Sequence, residues 1–494
     1  MRILFVVLPH SPHTVRWTRI VAETGWDVHL FPSYEVDNLL DGYSDKITVH
    51  GLQLSRRERI IRGVAPRTRL AVSRVGLRTV RLGHRLLQRN EREPGRLVQF
   101  LERKLSDRAT HATSDYAAAR SPEKFARVPW VVPRPPRVSE TTEQLRSTDG
   151  QPDSARHEDL AAAAGIINTR ANPRAHMLAN LIDRVRPDIV HSLTVGQTGY
   201  LTMTARLLVP DRFPTWIVSN WGSDIHLWGR VSKYQAAIRC VLGSCDFYTA
   251  ECDRDVALAR EFGFRGDVPG VFPAGGGFDL AHLRSMRQPG PPSTRRLIML
   301  KGYQGEIGRA LTGLRAIERC ADALQGYRIA IYLADPDVRV AAELVSRRTG
   351  IPIEIVPFQP TQDGIWRLHG QARASIGLGI SDGISTSALE AMIMGSLPIQ
   401  SDTSCLNEWV ECGKTGFIVP AEDPRAVEAT LRRAVTDDAF VDRAAEQNAE
   451  VATARLDYRI VQEQVRSMYR SIMQHVERKG TGLPTPNQRR ARRG

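Results

Sequence analysis

The stretch Ser381-Asp382-Gly383-Ile384-Ser385-Thr386-Ser387-Ala388-Leu389-Glu390-Ala391-Met392-Ile393-Met394-Gly395-Ser396-Leu397-Pro398-Ile399-Gln400-Ser401 holds a complete strand–turn–helix–strand passage. The apolar run Ala374–Leu378 before it reads as a strand, and small polar residues make the turn. A helix over Ser387–Met394 ends at Gly395, and Leu397–Gln400 is the next strand. Backbone N–H groups at the start of that helix have no intrahelical partners, and the helix dipole favours an anion there, so the turn can receive a diphosphate. Asp382 before the turn and Glu390 inside the helix are acceptors suited to paired sugar hydroxyls. The structural alternative is an N-cap followed by a surface glutamate.

The same alternation extends outward in both directions and predicts an α/β protein with parallel sheets. Strands at Arg2–Leu8, Trp26–Phe31, Lys46–Leu52, Asp188–Leu193, Thr215–Asn220 and Phe247–Ala250 make a first series with intervening helices. Strands at Arg296–Leu300, Arg328–Leu333, Ile353–Pro357, Ala374–Leu378 and Leu397–Gln400 make a second. The expected architecture is two Rossmann-like domains facing each other across a cleft, where the carboxyl ends of both sheets meet. The first domain spans 1–282, with a basic helical insertion over 55–172. A Pro-rich linker follows at 283–295, then the second domain at 296–455, a helix at 456–478 packing back on the first domain, and a basic tail at 479–494.

A chain of 494 residues exceeds one ordinary core, and 42% hydrophobic with 25% charged residues is the balance of a soluble globular protein. The opening MRILFVVLPH breaks at Pro9 and reads as a first strand rather than a leader or a span. Six cysteines without CxxC or Cys/His zinc spacing point to free thiols in a reducing, cytoplasmic setting, and no metal is expected. The net charge of +14 is concentrated. Ser55–Arg108 holds about sixteen Lys or Arg against about five Asp or Glu. Within it Arg74, Arg78, Arg81 and Arg85 recur at helical spacing among Leu70, Val72, Val75, Leu77, Val80, Leu82, Leu86 and Leu87. Such a face suits an anionic membrane surface, at the inner side of the cell membrane. Nucleic acid is the lesser rival, and a solvated helix face is the structural alternative.

Past Glu390 come Ala391-Met392, Gly395 and Leu397-Pro398, then Glu408-Trp409-Val410, Gly413-Lys414-Thr415-Gly416-Phe417-Ile418-Val419-Pro420 and Asp423-Pro424. These blocks resemble the carboxyl-terminal donor site of retaining glycosyltransferases of family 4, which have the GT-B fold. The likeness covers the second domain well and the first more loosely. It departs at Asp382, where the family has a glutamate, which shortens the reach toward a sugar. The resemblance implies that Lys301 and Arg309 stabilise the departing nucleotide diphosphate. It further implies that Gly383, Ile384, Ser385, Thr386 and Ser387 hold phosphate and sugar, that Asp382 binds the sugar and that Glu390 binds the ribose. His13, in Pro9-His10-Ser11-Pro12-His13, and Asp224, in Asn220-Trp221-Gly222-Ser223-Asp224, resemble acceptor-side positions. Pro273–Asp279 resembles the family's turn at the domain junction.

The expectation is therefore a retaining hexosyltransferase, with a UDP- or GDP-type sugar as co-substrate and no other cofactor. The acceptor is a saccharide or lipid-linked saccharide, in cell-surface glycan biosynthesis. A sugar-nucleotide 2-epimerase and a catalytically silent nucleotide-sugar-binding subunit share this architecture. Asp335-Pro336-Asp337 is set aside as a helix start, and Gly275-Gly276-Gly277 as a non-phosphate loop, since no Gly-Lys-Ser/Thr follows.

Overall fold

Ile3-Leu4-Phe5-Val6-Val7 is wholly buried, and a strand buried on both faces requires helices on both sides of its sheet. The structure, a computed structural model, describes residues 1–36, 39–51, 172–273, 275–357 and 361–480, all within one compact unit. The basic stretch 55–108, the rest of the insertion up to residue 171 and the tail beyond 480 lie outside the described residues.

The first sheet is built from β1 (Arg2–Val7), β2 (Asp27–Pro32), β3 (Ile47–Val49), β4 (Ile189–Ser192), β5 (Thr215–Ser219), β6 (Phe247–Ala250) and β7 (Asp267–Val271). Its seven parallel strands run in the order β3-β2-β1-β4-β5-β6-β7. The second is built from β8 (Leu297–Lys301), β9 (Arg328–Tyr332), β10 (Ile353–Ile355), β11 (Ala372–Gly377), β12 (Leu397–Ser401) and β13 (Phe417–Val419). Its six parallel strands run β10-β9-β8-β11-β12-β13. In each sheet the order reverses beside the first strand, between β1 and β4 and between β8 and β11. That reversal is the switch point at which an open α/β sheet leaves a crevice beyond its carboxyl ends. The expected pair of Rossmann-like domains across a cleft is what the chain forms.

Side-chain caps fix several helix starts. Asn172 accepts from the Ala175 N–H ahead of the helix Pro173–Val185, and Asp423 accepts from Arg425 and Ala426 ahead of Pro424–Thr436. Asp335 stands at the N-cap position of Pro336–Thr349 but makes no cap bond. Its carboxylate accepts instead from the Gln304 N–H at 2.7 Å, pinning the loop after β8. Several elements go beyond the sequence reading. The helix Gln197–Leu208 is rich in threonine, whose hydroxyls compete for backbone. Here Thr198, Thr202 and Thr204 bond back to carbonyls four residues earlier, and burial overrides the weak propensity. β7 carries Pro269 and Gly270 and sits at the sheet edge, where proline is tolerated. β13 is only three residues long, and the helix Asp438–Leu456 follows the previous one almost without a break.

The stretch 283–295 is tied to the second domain. Ser293 binds Asp442, and the guanidinium of Arg295, 2% exposed, donates to the carbonyls of Ala372 and Met394. The chain passes between domains twice. The outgoing pass at Phe278 and the returning pass at Leu456–Tyr458 lie side by side. Phe278 N–H donates to the Leu456 carbonyl at 2.8 Å, and Tyr458 N–H to the Phe278 carbonyl at 2.9 Å. Gly277 (φ 81°) leaves no room for a Cβ, which would lie 2.9 Å from Tyr458 Cα. The final helix, Tyr458–Gly480, buries Val461, Val465, Met468, Tyr469 and Ile472 against the first sheet. The Tyr469 hydroxyl is 2.6 Å from His191 Nδ1 on β4 and accepts from Trp17 Nε1 at 3.1 Å.

Candidate functional site

Lys301 is the last residue of β8, so its side chain emerges at the carboxyl end of the second sheet. Its Nζ lies 3.6 Å from Asp382 Oδ2 and 4.8 Å from the centre of the Tyr303 ring. Burial works against its charge, but Asp382, Tyr332, Tyr303 and Glu390 outweigh that and hold its pKa above the ordinary lysine value. Glu390 lies inside the helix Thr386–Met394 and is 4% exposed. Its Oε1 accepts from Gln362 Nε2 at 2.7 Å and Trp366 Nε1 at 3.0 Å, two donors one turn apart on the helix Gln362–Gln371. Burial raises the Glu390 pKa, against the pull of Arg16, Trp366, Lys301 and Gln362.

Ile384, Thr386 and Ser387 bring the start of the helix Thr386–Met394 into the same cavity. Ser385 makes no side-chain cap there; its Oγ pairs with Ser387 Oγ at 2.9 Å. The Ala388 N–H donates to the Ser385 carbonyl at 2.9 Å, but no side chain caps the N–H groups of Thr386 and Ser387, and the positive end of the helix dipole faces the cavity. Gly383 belongs to this turn but does not line the cavity, and its carbonyl accepts from the Cys405 N–H at 2.8 Å. Leu333, which does line it, holds φ at 53°, a left-handed conformation uncommon outside glycine.

The opposite wall comes from the carboxyl ends of the first sheet: His13 and Arg16 on the helix Pro12–Ala22, Trp221 after β5 and Glu251 after β6. The His13 and Trp221 rings are 5.3 Å apart, and His13 Nδ1 is buried with no hydrogen-bond partner among the described residues. Burial and then the neighbouring Arg16 push the His13 pKa down to about 4, with Asp382 opposing, so the imidazole is neutral at neutral pH. Arg16 loses some basicity to burial and is drawn toward charge by Glu390 across the cleft. The cavity between the walls is about 430 Å³.

His13, Lys301, Asp382, Ile384, Thr386, Ser387 and Glu390 meet around one space. Arg309 does not join them: its Nε binds Glu422 at 3.1 Å, and its Nη1 donates to the carbonyls of Gly305 and Gly308. Asp224 also lies behind the wall. Its carboxylate accepts from the Val195 N–H at 2.5 Å and the Trp221 N–H at 3.2 Å, so it buttresses the loop that presents Trp221. Burial raises its pKa to about 6. The sequence reading missed Arg16, although it lies three residues from His13 and hence on the same helical face. It missed the Gln362 and Trp366 pair as well, whose four-residue spacing was the available signal.

The walls touch beyond the cavity. A Cβ on Gly222 (φ 92°) would sit 1.8 Å from the Gly383 nitrogen. Arg254 donates to the carbonyls of Thr403 and Asp382 at 2.5 and 3.0 Å, and the Asp253 N–H reaches Glu408 Oε1 at 3.1 Å. The cleft is closed.

Comparison with known proteins follows the two halves. Residues 169–246 match the family model described as glycosyl transferase 4-like, and residues 344–451 match that of glycosyl transferases group 1. No curated protein sequence matches significantly. Among solved structures, a sucrose-phosphate synthase from Thermosynechococcus elongatus superposes with a TM-score of 0.59 at 13% identity, covering 96% of this chain and 100% of its own. Anabaena HepE in complex with UDP has a TM-score of 0.51 at 13% identity, covering 61% of this chain and 83% of its own. HepE with UDP-glucose gives 0.50 over the same shares. Together with the two parallel-sheet domains, these matches make the chain a glycosyltransferase of the GT-B type.

Proposed function

We propose that the chain is a retaining hexosyltransferase that takes its sugar from a nucleotide diphosphate, UDP or GDP in type, and needs no other cofactor. The observation that carries this reading is the convergence of Lys301, Asp382, Glu390 and the open start of the helix Thr386–Met394 on one cavity. Negative charge builds on the diphosphate as the glycosidic bond breaks, and a lysine held charged beside it, with unused N–H donors, lowers that barrier. Asp382 takes the sugar hydroxyls. Glu390, oriented by Gln362 and Trp366, takes the ribose hydroxyls. Arg16 fills the second cationic place that Arg309 leaves empty by turning to Glu422. His13, neutral and tilted against the Trp221 ring, accepts a hydrogen bond from the acceptor hydroxyl on the face the nucleotide leaves. Closure of the walls keeps water, the competing acceptor, from the reacting carbon. HepE solved with UDP-glucose favours uridine as the base.

The acceptor is a saccharide or lipid-linked saccharide for cell-surface glycan, met at the cytoplasmic face of a membrane through the basic stretch 55–108. No helix among the described residues is long and apolar enough to cross a bilayer. Vesicle flotation with and without anionic lipid tests that contact, and equal recovery from both would remove it. The central test is a thermal-shift series with UDP, GDP, ADP and their sugar conjugates, with Glu390→Ala as control. The expected result is a rise with one base only, lost in the variant. No rise with any nucleotide would overturn the donor site. Product analysis without acceptor then distinguishes transfer from epimerisation, and binding without turnover would mark a silent subunit.

A further inference from the structure

Two thiols meet where the domains meet. Cys252 stands just before the helix Asp253–Glu261 of the first domain, and Cys405 opens the short turn Cys405–Glu408 of the second. Their sulfurs are 2.9 Å apart, and the residues are 0% and 3% exposed. Neither side chain lines the cavity. The contact is framed by the closing contacts of Arg254 with Thr403 and of the Asp253 N–H with Glu408. Since each domain contributes one sulfur, domain separation parts the thiols and bares both to solvent.

Glu408 lies near enough to complete a three-ligand metal group with the two sulfurs. The spacing argues against it. Two thiolates on a tetrahedral zinc, each about 2.3 Å from the metal, stand roughly 3.8 Å apart. Both Glu408 oxygens already accept from the Asp253 N–H, at 3.1 and 3.3 Å. A sulfur pair too close for a shared metal and buried together is placed for covalent bonding.

We infer that Cys252 and Cys405 are an oxidative modification site, joined by peroxide into a disulfide that fastens the two domains in the closed state. With the domains apart, one thiolate attacks a peroxide oxygen. An S–O bond forms, the O–O bond breaks, and the departing hydroxide takes up the thiol's proton as water. On closure the second thiol attacks that sulfenic sulfur. The S–S bond forms, the S–O bond breaks, and hydroxide leaves with the second proton as another water. Two thiols are oxidised and one peroxide is reduced to two waters. Reaction must begin in the open state, because in the closed one the hydrogen bond with Cys405 and burial hold the Cys252 thiol protonated. The site is independent of donor identity and would arrest the cycle by preventing reopening.

The test uses the full chain carrying Cys412→Ser, which removes the one cysteine exposed in the closed state, at a dilution that keeps cross-links between chains from competing. After hydrogen peroxide, peptide mapping under non-reducing conditions should find Cys252 linked to Cys405, with two thiols lost and both regained on adding dithiothreitol. Amides in 220–225 and 382–387 should exchange with deuterium at least about tenfold more slowly in the oxidised chain. Cys252→Ser and Cys405→Ser should each abolish the link and the slowing. Cys252 advancing to sulfinic acid without the link would overturn the assignment, as would thiols that resist peroxide while one zinc per chain is bound. A link that leaves exchange at those amides unchanged would overturn the fastening. The mapping needs only the unsubstituted pair, so it stands even if a serine variant misfolds.

Discussion

The two walls of the cleft come from sheets of the same strand order, yet they hold their polar groups in different ways. On the second-domain wall Glu390 has two fixed donors, Lys301 has Asp382, and Ser385 and Ser387 have each other. On the first-domain wall His13 Nδ1 has no hydrogen-bond partner among the described residues, and Arg16, lying over the Phe278 ring, meets Glu390 only through the field across the gap. One wall is set before anything binds, which removes the cost of ordering donors when charge develops. The other takes its arrangement from what enters. In the proposed reaction this suits a constant nucleotide on one side and an acceptor on the other.

The comparison breaks most visibly at Lys301. Lys301→Ala should lower kcat about 100- to 1,000-fold, the usual cost of removing one preorganised charge-stabilising group. Single-turnover transfer measures it, and a loss under about tenfold would mean the second wall is not where leaving-group charge is met. Gly222→Ala should follow, at about 100-fold, because a Cβ 1.8 Å from the Gly383 nitrogen prevents the walls from reaching contact. Its circular dichroism should match the parent, since each domain keeps its own core.

Trp366→Phe sharpens the contrast on a smaller scale. It removes one of two donors to Glu390 Oε1. A lost hydrogen bond of about 1 kcal/mol weakens nucleotide binding roughly fivefold, read by calorimetry. Unchanged affinity would show that the carboxylate needs no orientation. The pH response should be smaller still. The His13 pKa lies below its free value, so the neutral form persists as pH falls through 6.5 and is lost only near 4. His13 should therefore add no inflection to nucleotide-sugar affinity between about pH 8 and about 6. An inflection near 6.5 that disappears in His13→Asn would place a charged imidazole on the first wall. Least of all, Arg309→Ala should change kcat by less than about threefold, because its guanidinium is exposed to Glu422 and backbone carbonyls rather than the cavity.

Lys301 and Arg309 also show where sequence stops being informative. Both flank the first turn of the second domain, and pattern alone sends both to the cleft. A strand end fixes the direction of Lys301. Arg309 is decided by Glu422, whose position beside it depends on how a distant helix packs. Asp224 has the spacing of an acceptor-side acid, but the Val195 N–H claims it from another strand end. The strand–turn–helix around Asp382 and Glu390 was legible because its contacts are local. Arg16 was not, because an arginine on an amphipathic helix reads the same whether it faces solvent or a carboxylate across a gap.

The side-by-side passes at Phe278 and Asp457 bear on movement. A single connecting strand would act as a pivot and let one domain swing or twist in any sense. Two strands clipped by a pair of backbone bonds define a line, and rotation about a line is described by one angle. Each wall residue then travels an arc proportional to its distance from that line. The contacts between Gly222 and Gly383 and between Cys252 and Cys405 would then part together, each by an amount that one angle sets. Geometry of this kind makes opening a repeatable stroke and not a search.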